Sequence, residues 1–405
     1  MMKKSILYIG EFDFENENVQ AHLVKNNGKI LTELDYKVFY IGVNREKTEK
    51  INRNEIDNLK KSFIDKQYIG LPNTLNVKGV FEYRKIENLI ETLITEIIKI
   101  NKLEYIISYQ APTYAWILKK IVKICEKNNI KYIVNSADIP IFDSQPFIKR
   151  LVMKMNWNIL HKVNKENADG IIAVSKYIEK FYYKKDRKSI VIPPLFSENI
   201  IKNQNNLNLN EKIEFFYAGT PFVILNHEVK VEGMKDRLDK IIDLMLEVYK
   251  KEKSIVFKIF GITREDYSVC VPRHSEILLD SPWIEFHGRK SHEETIDELS
   301  KADFMLNYRD KNVMTEAGVS TKMVESVSVG TPVIMNNIGD AFNYLIEGES
   351  GIELTGDIDE DSKTIIKLCE KDPDERRMMK LECKNKKTFH WEKYVEPVKD
   401  FLKMI

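Results

Sequence analysis

The chain has 405 residues, 43% of them apolar and 31% charged. At about 100–200 residues per domain this provides for two or three separate cores and excludes a small disulfide-stapled scaffold. Its 63 basic and 62 acidic side chains leave a net charge of +1, so no bulk field draws nucleic acid.

Along the first half, short β-branched runs alternate with helical patterns, as in parallel sheets covered by helices. Strands are expected at residues 5–9 and 38–41, with a helix over 19–34 between them. Ile86, Leu89, Ile90, Leu93, Ile94, Ile97 and Ile98 fall at helical spacing and lead into a strand at 105–108. Strands at 132–135 and 170–174 follow, the second running into Ser175, whose hydroxyl suits a helix N-cap. Residues 147–165 set Phe147, Leu151, Val152, Met155 and Leu160 among Lys149, Arg150, Lys154, Lys162 and Lys165. Such a stripe most often faces the core, which is the expectation here; a basic amphipathic helix resting on anionic lipid is the alternative. A strand at 190–192 closes this half.

Residues 197–212, rich in Asn, Lys and Glu, read as a linker. Beyond it, strands are expected at 214–218, 256–260, 284–287, 304–307 and 332–335, and helices at 234–249, 321–329 and 341–345. Ser291 and Glu294 stand at capping-box spacing. The tail from 372 is helical, with breaks expected at 388–391 and at Pro397. The expected domains are 1–196 and 213–388, two doubly wound Rossmann-like α/β domains facing a cleft. The helix at 389–405 returns to the N-terminal one.

Open α/β sheets bind ligands at the carboxyl ends of their strands. The segment from Leu306 to Ile334 places a loop and a helix start near Ser320 after such an end. The amides of Gly318, Val319, Ser320 and Thr321 are expected to be unpaired there, which makes an anion site. Glu325, one turn further in, can accept hydrogen bonds from a sugar or ribose diol; on helix statistics alone, Glu325 and Lys322 are surface charges. Arg309 reads either as a second cation for phosphate or as the partner of a neighbouring carboxylate. Asp138, just past a strand end, suits an acceptor hydroxyl or a turn. Asp357-Ile358-Asp359 matches D-x-D but precedes a helix and is read as capping.

Several short motifs stand in a fixed order: Tyr217-Ala218-Gly219-Thr220, Gly233-Met234-Lys235-Asp236, Ile259-Phe260-Gly261, Ile284 to Lys290, Ala302-Asp303, Lys322-Met323-Val324-Glu325 and Gly330-Thr331-Pro332-Val333-Ile334. With Ala168 to Ser175 and Val191-Ile192-Pro193-Pro194, they resemble the GT-B glycosyltransferases, in particular glycosyltransferase family 4 and its relatives of bacterial capsule and surface polysaccharide synthesis. The resemblance covers nearly the whole chain. It implies a retaining transfer of a sugar from a nucleotide-diphosphate donor to a glycan or lipid-linked glycan.

By that resemblance the donor would be held by Gly219, Thr220, Lys235, Arg289, Arg309, Gly318, Val319, Ser320, Thr321, Lys322 and Glu325. Lys235 would be the principal catalytic cation, with Asp138 and Glu316 as further catalytic groups. Gly10, Glu11, Asp13 and Asp138 are the candidates to meet the acceptor, although Glu11 and Asp13 read by default as solvated loop acids. The family's usual pattern has a second glutamate eight positions before the helix glutamate, where this chain has Ala317, with Glu316 beside it. That difference leaves open a non-catalytic partner subunit, and a nucleotide-sugar epimerase shares the fold. No G-x-G-x-x-G follows the first strand, which speaks against a nicotinamide dehydrogenase.

No tightly bound cofactor or metal is expected, since no His, Cys and carboxylate cluster has ligand spacing. Cys125, Cys270, Cys369 and Cys383 form no C-x-x-C pair, as suits a reducing cytoplasm. No window approaches the ~20 uninterrupted apolar residues of a membrane span. The N-terminal segment turns acidic too early for a signal peptide. The expected location is the cytoplasm, with peripheral contact at the inner face of the cell membrane left open.

Overall fold

The computed structural model describes residues 2–16, 18–44, 56–72, 80–110, 115–139, 147–196, 212–225, 228–230 and 236–405. It divides into two compact units, Met1–Leu195 with Trp391–Ile405, and Phe196–His390. Most of the expected linker, 197–211, lies outside the described residues.

The first unit runs β1 (Lys4–Gly10), α1 (Val19–Glu33), β2 (Lys37–Asn44), α2 (Ile56–Lys66), β3 (Tyr68–Pro72), α3 (Val80–Ile100), β4 (Lys102–Tyr109), α4 (Ala115–Asn128), β5 (Lys131–Ser136), α5 (Phe147–Asn167), β6 (Gly170–Ala173), α6 (Lys176–Phe181) and β7 (Lys188–Val191). Its seven parallel strands lie in the order β3-β2-β1-β4-β5-β6-β7. Both faces are covered, so the strands read as nearly continuous apolar runs; β1 is buried from Ser5 to Gly10. Ser175 caps α6 as expected, its hydroxyl accepting from the Ile178 amide.

The second unit runs β8 (Ile213–Ala218), β9 (Val223–Leu225), β10 (Glu228–Lys230), α7 (Leu238–Lys251), β11 (Ile255–Phe260), α8 (Arg264–Cys270), α9 (Ser275–Leu279), β12 (Ile284–Gly288), α10 (His292–Lys301), β13 (Phe304–Asn307), α11 (Val313–Ala317), α12 (Thr321–Val329), β14 (Val333–Asn336), α13 (Ala341–Tyr344), β15 (Gly351–Leu354), α14 (Ile358–Cys369) and α15 (Pro373–Lys386). The parallel order is β12-β11-β8-β13-β14-β15, with β9 and β10 paired apart as a hairpin. Helix α7 lays Leu238, Ile241, Ile242, Met245 and Val248 into the core at helical spacing. The strand order reverses between β8 and β13, and at such switch points the loops part and leave room for a ligand.

The chain then re-enters the first unit through a 3-10 turn, Trp391–Tyr394, and α16 (Val395–Met404). Helix α16 buries Val398, Phe401 and Leu402.

Three expectations are corrected. Pro397 does not break the tail, because it occupies the first turn of α16, where a missing N–H costs no helical bond. A further strand, β15, extends the second sheet beyond β14. The apolar stripe of α5 does not face the core in its first half: Phe147 is 70% exposed, Leu151 62%, Val152 41% and Met155 49%. From Leu160 onward its apolar face is buried as expected, with Leu160, His161, Val163 and Asn164.

Candidate functional site

At the switch point of the second unit, β13 ends on Asn307, which is fully buried and donates through Nδ2 to Ser320 Oγ at 3.0 Å. Ser320 is the N-cap of α12, its hydroxyl accepting from the Met323 amide. The helix therefore begins where the sequence places it. The amide of Gly318 is not unpaired, however: it donates to Met314 O at 3.2 Å and closes α11, a short helix capped reciprocally by Asn312 and Thr315. The amides of Val319, Ser320 and Thr321 have no protein partner among the described residues. A pocket lined by Arg309, Val319, Ser320, Met335 and Ile338 lies at this helix start.

Arg309 is fixed by its backbone, its amide donating to Asn336 Oδ1 at 3.0 Å and its carbonyl accepting from Asn336 Nδ2 at 2.8 Å. Its guanidinium donates through Nε to Asp236 Oδ1 at 2.9 Å. Asp236 is 3% exposed and also accepts from Lys322 Nζ and, at 3.3 Å, from the Tyr217 hydroxyl. Burial opposes ionisation of Asp236, but the charges of Lys322 and Arg309 outweigh it and hold its carboxyl below the ordinary value. Burial pulls the Lys322 ammonium below the usual lysine value, with Asp236 opposing. Two cations against one carboxylate leave one positive charge in excess beside the open helix amides. That suits a diphosphate.

Lys322 Nζ stands 5.3 Å from the Tyr217 ring centroid, beneath the turn at Gly219. A Cβ on Gly219 would meet Nζ at 2.5 Å, so glycine there admits the ammonium. Thr220 is exposed and donates through Oγ1 to Gly261 O at 3.3 Å. Glu325 Oε1 receives His292 Nε2 at 2.9 Å, and that bond raises the imidazole above its ordinary value. Arg289 is exposed on the loop after β12. Ala317 is fully buried and Glu316 half-buried in the last turn of α11. Lys235 lies outside the described residues; of the residues that follow it, the Arg237 amide donates to Tyr308 O at 2.8 Å.

In the first unit, Gly10 presses so closely on Tyr109 O that no side chain fits. The Glu11 amide donates to the same carbonyl at 3.2 Å. Asp13 is 1% exposed, and its carboxylate accepts from the Glu15 and Asn16 amides, both at 3.1 Å. It thus closes a turn. Asp138 stands half-buried past the end of β5, its carbonyl accepting from Gln110 Nε2 at 2.8 Å.

The structure therefore gathers Gly219, Arg309, Ser320 and Lys322 at one strand-end site, with Glu325 one turn along the same helix. Sequence reasoning missed Asp236, which organises both cations, and His292, which holds Glu325. Asp357 caps α14, as its position before that helix implies.

Among the described residues no group of His, Cys, Asp and Glu could hold a metal ion. None of their helices is long and apolar enough to cross a membrane.

This is the fold of the GT-B glycosyltransferases, which the order of the motifs led us to expect. Residues 234–386 match the family described as Glycosyl transferases group 1. Three solved structures show the likeness over nearly whole chains. A glycosyltransferase from Rickettsia africae is 13% identical with a TM-score of 0.64, over 99% of this chain and 98% of that one. Sucrose-phosphate synthase from Thermosynechococcus elongatus is 14% identical with a TM-score of 0.63, over 99% and 98%. HepE of Anabaena, in complex with UDP, is 11% identical with a TM-score of 0.63, over 99% and 100%. No curated protein sequence matches the chain significantly.

Proposed function

We propose that the protein transfers a sugar, with retention, from a nucleotide-diphosphate donor to a hydroxyl of a glycan or lipid-linked glycan in bacterial surface polysaccharide synthesis. The observation that carries this reading is the pairing of Arg309 and Lys322 on buried Asp236 beside the open amides of α12. As the bond from the anomeric carbon to the phosphate oxygen breaks, negative charge builds on the departing diphosphate. Cations and amides already fixed in place stabilise that state more than the ground state. In this reading they supply the charge stabilisation that a divalent ion gives other transferases, so no metal is required. Lys235, by resemblance, adds a further cation.

Glu325 takes the ribose hydroxyls, with His292 holding one carboxylate oxygen and leaving the other for the diol. Asp138 and Glu316 are assigned to the acceptor hydroxyl and the transferred sugar. In this reading the N-terminal domain, expected at 1–196 with 389–405 returning to it, serves the acceptor, and the C-terminal domain, expected at 213–388, serves the donor. HepE has been solved with UDP-glucose, which makes UDP-sugars the first donors to try.

The test incubates purified protein with UDP-, GDP- and ADP-sugars and follows donor binding and hydrolysis. At least one donor should bind saturably and be turned over. Lys322→Ala should lower kcat/KM by about 10²-fold, and Glu325→Ala should raise the donor KM about tenfold through two lost hydrogen bonds. Wild-type values in both variants would remove the site assignment. The burial of Ala317, where the family's pattern has an acid, favours a second reading as a non-catalytic subunit. Saturable binding without turnover, regained on adding a partner transferase, would select it. Donor isomerisation without an acceptor would select the epimerase.

A further inference from the structure

Two neighbouring residues just before α7 face two neighbouring residues after β13, with the order of charge reversed. Asp236 accepts from Arg309 Nε at 2.9 Å, and next to it the Arg237 guanidinium donates through Nη1 to Asp310 Oδ2. With the Arg237 amide on Tyr308 O, the two segments are tied at Tyr308, Arg309 and Asp310 in succession. Sliding one segment by one residue would set Asp236 against Asp310 or Arg237 against Arg309, and like charges repel. Asp239 holds the guanidinium from its other side, taking Nε at 2.9 Å and Nη2 at 2.8 Å, while Lys240 Nζ donates to Asp310 Oδ1 at 2.8 Å. Burial opposes ionisation of Asp310, but Lys240 and Arg237 hold its carboxyl below the ordinary value. The Asp310 carbonyl accepts from Thr315 Oγ1 at 2.7 Å, and Thr315 belongs to the reciprocal cap of α11, which closes on Gly318 just before the open amides. Asp310 is thus bonded both to the segment that carries Asp236 and to the helix that leads into α12.

We propose that Arg237 and Asp310 are positioning residues, which hold Asp236 opposite Arg309 and set the start of α12, and thereby strengthen the grip on the donor's diphosphate. This rests on reading the start of α12 as the diphosphate site. Stability does not account for the pair: the Asp310 side chain is 43% exposed, and ion pairs open to water contribute little to folding. Nor does a long-range field, since opposite charges in contact cancel at a distance. Register is what the pair supplies. Arg309 and Lys322 share the one buried carboxylate of Asp236, so a displacement of that residue moves both cations relative to the amides of Val319, Ser320 and Thr321. A shift of about 1 Å in such an arrangement is enough to weaken it severalfold or more.

The experiment titrates UDP, GDP and ADP, and their parent nucleosides, into the full chain by calorimetry. Arg237→Gln and Asp310→Asn should each weaken the best-bound diphosphate about five- to tenfold and leave its nucleoside within about twofold. The signs separate the causes. On charge alone, removing the Asp310 anion would tighten a diphosphate and removing the Arg237 cation would loosen it, whereas displacement of Asp236 loosens it in both. The double variant should bind about as weakly as the weaker single one, because a pair already broken has no further coupling to lose. Melting temperatures should stay within about 2 °C of the wild type. Unless both single variants lose diphosphate affinity and spare the nucleoside, the positioning role is overturned. Lys322→Ala keeps that failure apart from failure of the site itself: if it loses affinity while Arg237→Gln and Asp310→Asn keep theirs, only the positioning role falls. If Lys322→Ala binds as the wild type does, or no diphosphate binds, the diphosphate site falls and the positioning role with it.

Discussion

An alanine at position 219 would set its methyl 2.5 Å from Lys322 Nζ and 2.7 Å from Cε. Both atoms are the far end of a flexible side chain, so the fold can yield by swinging the ammonium aside. The stability cost of Gly219→Ala is then about 1 kcal/mol, set by the positive φ of that residue. The functional cost is larger, because the displaced cation leaves Asp236. We expect kcat/KM for the donor to fall about 10²-fold while Tm drops by only a few degrees. Activity within twofold of wild type would show that Lys322 does not act from beneath that turn. The contrast also explains which site residues were legible. Ser320, Thr321 and the Ser291 box are written in contiguous residues, since a cap and its helix are sequence neighbours. Asp236 lies 86 positions from Lys322, and His292 lies 33 from Glu325. No local pattern encodes such pairs.

At the scale of elements, strands with continuous apolar runs were readable, while two of the edge strands, β3 and β15, were not. Strand β3 is Tyr-Ile-Gly-Leu-Pro and β15 begins on Gly351, compositions that locally favour turns. Pairing with β2 and β14 overrides that preference. In α5 the opposite happened: its helical period was legible from sequence, but period alone does not say whether anything covers the stripe. Helix α16 shows how a tail becomes part of a distant core. The Phe401 ring fills the space where a Cβ on Gly170 would stand, and Leu402 O accepts from the Tyr105 hydroxyl at 3.0 Å. Phe401→Ala should cost about 3–5 kcal/mol, since removing a buried ring leaves a cavity that a sheet cannot close. Chemical denaturation checks this, and a loss under 1 kcal/mol would mean that α16 adds little to the first unit.

For the molecule as a whole, the division into two units makes the location of the donor site a measurable quantity. The proposed nucleotide contacts, Gly219, Arg309, Ser320, Lys322 and Glu325, all belong to the unit Phe196–His390. A ligand stabilises only what it binds in the folded state, by about 2.7 kcal/mol at a concentration of 100 Kd. For a unit of about 200 residues, each kcal/mol moves the melting temperature roughly 2–4 °C, so saturating nucleotide should raise one transition by about 5–10 °C. Scanning calorimetry should therefore resolve two transitions, of which UDP or the matching diphosphate moves one. Phe401→Ala identifies the other by lowering it, and Glu325→Ala should diminish the ligand-induced shift while leaving both transitions in place. If nucleotide raised the Phe401-sensitive transition instead, the donor would be held by the first unit. The helix start at Ser320 would then have to be reassigned.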